Sequence, residues 1–205
     1  MSAATVARLK ITLEDVKPAV LRRVEVPFDI RLDRLHLTIQ AAMGWTNSHL
    51  YELRAGEVGW TTPYPEEDWA SDFLDARKAR LRDILEDVGT KKLVYLYDFG
   101  DGWEHTIKVE RLADPQPGVL YPHLIEVKGR CPPEDCGGPW GYAELLEALK
   151  DPNHERHSEL TEWIGDDFDP DEDEAEWLAA EVTTLAKSWS RNSTNKRATP
   201  RPAPR

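Results

Sequence analysis

Apolar and polar positions alternate with period two along several short stretches of the first two thirds of the chain. They follow helical spacing in the last third. From Val6 to Leu13, Ala7, Leu9, Ile11 and Leu13 alternate with Arg8, Lys10 and Thr12. That period predicts a half-buried strand. Pro18 breaks it, Val20, Val24 and Val26 resume it, and Pro27 ends it, so an antiparallel pair opens the chain. The clearest signal is Tyr95 to His105. Here alternation runs on both sides of Gly100-Asp101-Gly102, and glycine supplies the positive φ of a tight hairpin turn. Beyond the turn Trp103, His105, Ile107 and Val109 share one face, and Glu104, Thr106, Lys108 and Glu110 the other. The hairpin spans Leu93 to Val109. His49 to Leu53 and Leu124 to Val127 read as further strands.

Helical spacing appears at Leu32, Leu35, Ile39, Ala42 and Met43, closed by Gly44. Leu81, Ile84, Leu85 and Val88 form a shorter stripe stopped by Gly89. Tyr142, Leu145, Leu146 and Leu149 make another. Asp151-Pro152 predicts the start of a helix with Leu160, Trp163 and Ile164 as its apolar face. Asp169, Pro170 and Glu172 read as the N-cap, N1 and N3 of a last helix through Leu185. Strands precede helices, so the fold class is α+β: a mixed, mostly antiparallel sheet with a helical C-terminal third. Thr61 to Asp72 reads as a loop.

Composition sets the organisation. The 205 residues suit one domain, drawn here as residues 1–187, followed by a basic disordered tail, residues 188–205. The tail holds Arg191, Lys196, Arg197, Arg201 and Arg205 and no acid, so of the net charge of −12 the first 187 residues carry −17. The acidic body disfavours nucleic-acid binding and the tail leaves it open. No apolar run is long enough for a membrane span, and the N-terminus lacks an apolar leader core, which points to a cytoplasmic protein. Two cysteines do not make a disulfide scaffold.

Two constellations carry candidate chemistry. The first is a polar pocket of His36, Gln40, His49, Asp98, Asp101 and His105, converging from a helix, a strand and the hairpin to bind a ligand or do acid–base work. Three of them have a plainer role: His105 as a core histidine bonded to backbone, and Asp98 and Asp101 as aspartates bonding their own turn. The second is a zinc set of Cys131 and Cys136 with His154 and His157, although Cys-x₄-Cys is a wide spacing for a structural pair. The acidic run Asp166 to Glu176 fails as a calcium loop: started at Asp169, it puts Glu174 where glycine belongs and Ala180 where the bidentate glutamate belongs. Phosphate-loop, dinucleotide, nucleophile-elbow and HExxH patterns are absent.

Several motifs combine into a resemblance. They are Leu35-His36, Ile39-Gln40, Gly44-Trp45, His49-Leu50, Tyr97-Asp98-Phe99-Gly100-Asp101, the Cys131 to Gly138 loop with Gly141-Tyr142, Asp151-Pro152 and Phe168-Asp169-Pro170. Over residues 5 to 180 the chain resembles the plasmid pRiA orf-three-like family, whose members sometimes carry an insertion-element passenger label of TnpR type. The resemblance implies a compact α+β domain with a β-grasp-like sheet. It implies no established activity and supplies no catalytic residues. The expected role is therefore a binding or interaction module for a protein or small molecule, with the Trp60 to Trp69 loop as contact surface. A zinc-dependent hydrolase and a nucleic-acid accessory protein acting through the tail are the alternatives.

Overall fold

The computed structural model describes residues 5–63, 72–165 and 168–197, with side chains through Arg191. Eight strands form one sheet: β1 (Val6–Leu13), β2 (Leu21–Pro27), β3 (Tyr51–Ala55), β4 (Val58–Thr61), β5 (Leu74–Asp75), β6 (Lys92–Tyr97), β7 (Trp103–Ala113) and β8 (His123–Lys128). Their spatial order is β5-β4-β3-β6-β7-β1-β2-β8. All neighbours are antiparallel except β4 and β5. Five helices complete the described chain: α1 (Leu32–Met43), α2 (Leu81–Val88), α3 (Gly138–Lys150), α4 (His157–Ile164) and α5 (Ala175–Arg197). The α+β class, the mostly antiparallel mixed sheet and the helical C-terminal part are as the sequence reads. Among the described residues no helix is long and apolar enough to cross a membrane.

The period-two pattern divides the sheet into two unlike faces. Leu9, Ile11, Val24, Val26, Tyr95, Trp103 and Ile107 point into the core with α1. The other face carries ion pairs: Arg8–Glu25 at 2.9 Å, Arg23 with Glu110 at 3.0 Å and with Glu126, and Arg111–Glu25 at 3.6 Å. An antiparallel sheet tolerates one wet face in this way. One cation sits on the inner side. Arg22 is fully buried; its Nε–H donates to Ala42 O at 2.8 Å, and its Nη1 donates to Leu21, Lys128 and Gly129 carbonyls at 2.9–3.1 Å. It ties the negative end of the α1 dipole to β2 and to the end of β8.

Some boundaries differ from the sequence pattern. The helix expected from Asp151 begins at His157, because Asp151 and His154 bond their own backbone: Asp151 Oδ1 accepts Asn153 N–H and His154 Nδ1 accepts Arg156 N–H. The last helix begins at Ala175 rather than beside Asp169. Asp169 Oδ1 caps only its own turn, through Asp171 N–H, and Glu174 at φ 54° interrupts the helical path. The helix then runs past the boundary drawn at residue 188, to Arg197; residues 198–205 lie outside the described residues. Strands β4 and β5 were too short to read. Trp60 is buried against the core and offers no contact surface; Trp69 lies outside the described residues.

The start of α3 shows how closely its loop is fitted to the hairpin turn. Gly137-Gly138 places backbone against Asp101: a Cβ on Gly138 (φ 68°) would lie 2.2 Å from the Asp101 carbonyl oxygen. The Gly137 N–H donates to Asp101 Oδ2 at 3.3 Å, so a carboxylate meets the helix N-terminus. Gly89 has the same φ of 68° with nothing within 4 Å of a Cβ. Comparing the two alanine variants by urea unfolding isolates the steric part. Gly89→Ala costs about 1 kcal/mol from backbone conformation, and Gly138→Ala a further ~1–3 kcal/mol from overpacking.

Candidate functional site

A closed ring of hydrogen bonds underlies the site. Gln40 Nε2 donates to Tyr95 Oη at 2.9 Å, and Tyr95 Oη meets His36 Nδ1 at 2.8 Å. His36 Nε2 meets Asn47 Oδ1 at 2.5 Å, and Asn47 N–H donates to Gln40 Oε1 at 3.0 Å. The amide oxygen of Asn47 can only accept, so His36 carries its proton on Nε2 and accepts the tyrosine proton on Nδ1. Every group in the ring is then satisfied. His36 and Gln40 come one helical turn apart on α1, as the spacing predicts. The His36 ring stacks on Tyr51 with centroids 3.6 Å apart. Burial lowers the His36 pKa to about 4 and raises that of Tyr95, so this is a neutral structural network rather than an acid–base pair.

The ring anchors Asn47, which starts a short loop into β3. Tyr97 fixes the other side of that loop: its Oη accepts N–H bonds from Ser48 at 3.0 Å and His49 at 3.3 Å and donates to Glu134 Oε1 at 2.5 Å. Glu134 Oε2 also accepts from Thr46 N–H at 2.9 Å, and Trp45 Nε1–H reaches the Pro132 carbonyl at 2.9 Å. The Cys131 to Cys136 loop is thereby folded down over residues 45–49.

Three side chains converge where these pieces meet. His49 precedes β3 and Asp98 follows β6. These strands pair with Tyr51 opposite Tyr97, and Asp98 N–H still bonds Leu50 O at 2.9 Å. His49 Nδ1 lies 3.6 Å from Asp98 Oδ2, and His49 Nε2 lies 3.3 Å from Asp135 Oδ1. Asp98 is buried and its Oδ1 accepts Gly100 N–H at 2.9 Å, which aims Oδ2 at His49. Asp135 is 72% exposed at the rim. Asn47, Asp98 and Asp135 all hold positive φ, at 59°, 57° and 60°. An open cavity of about 440 Å³ lies over His49 and Asp98, lined also by Asn47, Ser48, Leu50, Phe99 and Gly100.

Of the six pocket residues, His49 and Asp98 share this centre. His36 and Gln40 support it from below. Asp101 faces the start of α3 instead. His105 is on the inner sheet face, fully buried, with Nδ1 3.0 Å from Trp103 O and 3.3 Å from Tyr95 O. Those carbonyls make Nδ1 the protonated nitrogen, and burial lowers its pKa to about 4.

The zinc set of Cys131, Cys136, His154 and His157 is not assembled. Among the described residues, His49, Asp98 and Asp135 are the one group of three such side chains with ligand atoms within 4.8 Å of one another. Burial pushes both thiols up to about 12, so they stay protonated. His157 Nδ1 is held by the Ala148 carbonyl at 2.7 Å. The Cys-x₄-Cys segment contributes its intervening acids, Glu134 and Asp135, rather than its thiols. Tyr97 and Asp135 are the site residues that the sequence reading passed over. The acid pair between the cysteines was the available signal.

The two buried histidines make folding pH-dependent. Unfolded imidazoles take up protons below about pH 6.5. Folded His36 and His105 resist until about 4. Stability is therefore complete above the unfolded value and drains between about pH 6.5 and 4, by up to about 1.4 kcal/mol per pH unit for each histidine. Urea unfolding across that window measures it, and His105→Gln is expected to flatten the slope.

Comparison with known proteins places this geometry in context. The chain is 53% identical over 194 residues to the uncharacterised protein y4hQ of Sinorhizobium fredii (strain NBRC 101917 / NGR234), covering 94% of this chain and 98% of that one. Its fold matches the crystal structure of a protein of unknown function, MM3350 from Methanosarcina mazei Go1. The TM-score is 0.75 and the identity 33%, over 83% of this chain and 96% of that one. Residues 5–176, which hold every residue of the ring and of the His49 centre, match the family described as plasmid pRiA4b ORF-3-like protein, and the chain belongs to that family.

Proposed function

We propose that this protein is a metal-binding module whose centre is His49, Asp98 and Asp135. The observation that carries the reading is the approach of one imidazole nitrogen and two carboxylate oxygens to within 4.8 Å. Three nitrogen and oxygen ligands with an open fourth position suit Zn²⁺. The Gly100 N–H on Asp98 Oδ1 supports the reading as an outer partner that orients a ligand. The ring through His36 supports it by fixing the loop that bears His49 before any ion arrives, which lowers the ordering cost of binding. A cytoplasmic setting suits the two free cysteines.

A second reading, metal-assisted hydrolysis, rests on the cavity of about 440 Å³ above His49 and Asp98. A substrate there would meet a water held at the open metal position.

Zinc titration followed by elemental analysis tests the proposal. The full chain is expected to hold about one zinc ion, with affinity falling ~10–100-fold or more in His49→Ala and Asp98→Asn and unchanged in Cys131→Ser. Absence of zinc at micromolar concentration, or equal binding in Asp98→Asn, contradicts it. Loss confined to Cys131→Ser returns the metal to the thiol loop.

A further inference from the structure

The first turn of α1 lies at the far end of that helix from Asn47 and the His49 centre. Beside it Arg31, Arg34 and Arg80 line a cavity of about 460 Å³, whose apolar walls include Ile30, Val119, Leu120 and Tyr121. A volume of that size suits one small organic molecule. The loop that forms one wall is itself fixed. Gln116 N–H donates to Tyr121 Oη at 2.9 Å, and Val119 N–H donates to Gln116 O at 3.2 Å.

The three guanidiniums differ in what engages them. Arg31 forks onto Asp33, with Nε 2.9 Å from Oδ1 and Nη2 2.6 Å from Oδ2. Arg80 Nη1 donates to the Asp29 carbonyl at 2.7 Å and lies 3.7 Å from the Asp29 carboxylate. Arg34 is half-buried, and its guanidinium lies 4.8 Å over the Trp189 ring, which takes one face of the cation. Among the described residues the side-chain N–H groups of Arg34 have no carboxylate and no other hydrogen-bond acceptor. Its five donors stay open beside the cavity.

Charge then selects the ligand. Three guanidiniums against the two carboxylates of Asp29 and Asp33 leave the cavity one net positive charge, on a chain whose net charge is −12. One unit matches a carboxylate, whereas a phosphate ester carries about −1.5 to −2 near neutral pH. The open fork of Arg34 also matches the two oxygens of a carboxylate in geometry. Leu120, 43% exposed in the same lining, is apolar surface that a hydrocarbon body attached to the carboxylate would take out of water.

We propose that this cavity binds a small organic monocarboxylate with an apolar body, the carboxylate on Arg34 and the body against Val119, Leu120 and Tyr121. The site is separate from the His49 centre and does not depend on a metal there. The test is a chemical-shift titration of the ¹⁵N-labelled full chain with phenylbutyrate at neutral pH. Saturable binding is expected with a Kd of about 1 mM or tighter, and with shifts concentrated at Arg34, Leu120 and Trp189. Arg34→Gln is expected to lower affinity ~10-fold or more while the rest of the spectrum is retained. Leu120→Glu, at an exposed position that leaves the fold intact, is expected to weaken binding as well. Arg23→Gln, on the outer face of the sheet, is expected to leave it unchanged, and phenylbutylamine is expected not to bind. The proposal is overturned by the absence of saturable shifts, by shifts that lie elsewhere, or by equal binding of the amine. Unchanged affinity in a folded Arg34→Gln or in Leu120→Glu overturns it too, as does an equal loss in Arg23→Gln. Tighter binding of phenyl phosphate at the same residues overturns it in favour of a phosphorylated ligand.

Discussion

The whole site depends on one demand: a histidine, a glutamine and a tyrosine buried together must satisfy one another. Unpaired polar groups in a low-dielectric interior cost on the order of 1–3 kcal/mol each, so a ring that leaves none unpaired strongly selects one arrangement. His36, Tyr95, Gln40 and Asn47 form such a ring. Its last member is held at φ 59°, a conformation that asparagine tolerates better than most residues. Asn47 turns the chain from α1 towards β3 there. The position of His49, two residues on, follows from that turn.

The same logic runs outward. Tyr97 lies next but one to Tyr95 on β6, on the same side of the sheet, and its hydroxyl takes up the Ser48 and His49 amides and Glu134. Glu134 draws Asp135 to the rim opposite Asp98. The glycines after Cys136 let α3 start directly against the hairpin turn. The site is therefore rigid at its base, where Asp98 is buried, and open at its rim, where Asp135 meets solvent.

Much of the fold was legible in the sequence because burial imposes periods. The strand from Val6 to Leu13, the helix closed by Gly44 and the inward face of Trp103 and His105 all follow from alternation or helical spacing. Helix starts were less legible. Asp151 and Asp169 resemble caps locally, yet their side chains close turns of their own. The site was half legible. His49 and Asp98, which the residue pattern assigns to one pocket, do meet. Asp101, within the hairpin turn itself, faces the start of α3, and His105, on the strand beyond, takes its inner face, because one residue along a strand reverses the face. Asp135 depends on Glu134 reaching Tyr97 across 37 positions, which no local pattern encodes.

The ring's central claim is a proton position, so it can be observed directly. A long-range ¹H–¹⁵N spectrum of the histidine rings at neutral pH reports which nitrogen of each carries hydrogen. The account predicts His36 as the neutral Nε2–H tautomer and His105 as the neutral Nδ1–H tautomer, two opposite patterns in one spectrum. His36 protonated on Nδ1, or present as the imidazolium, would contradict it.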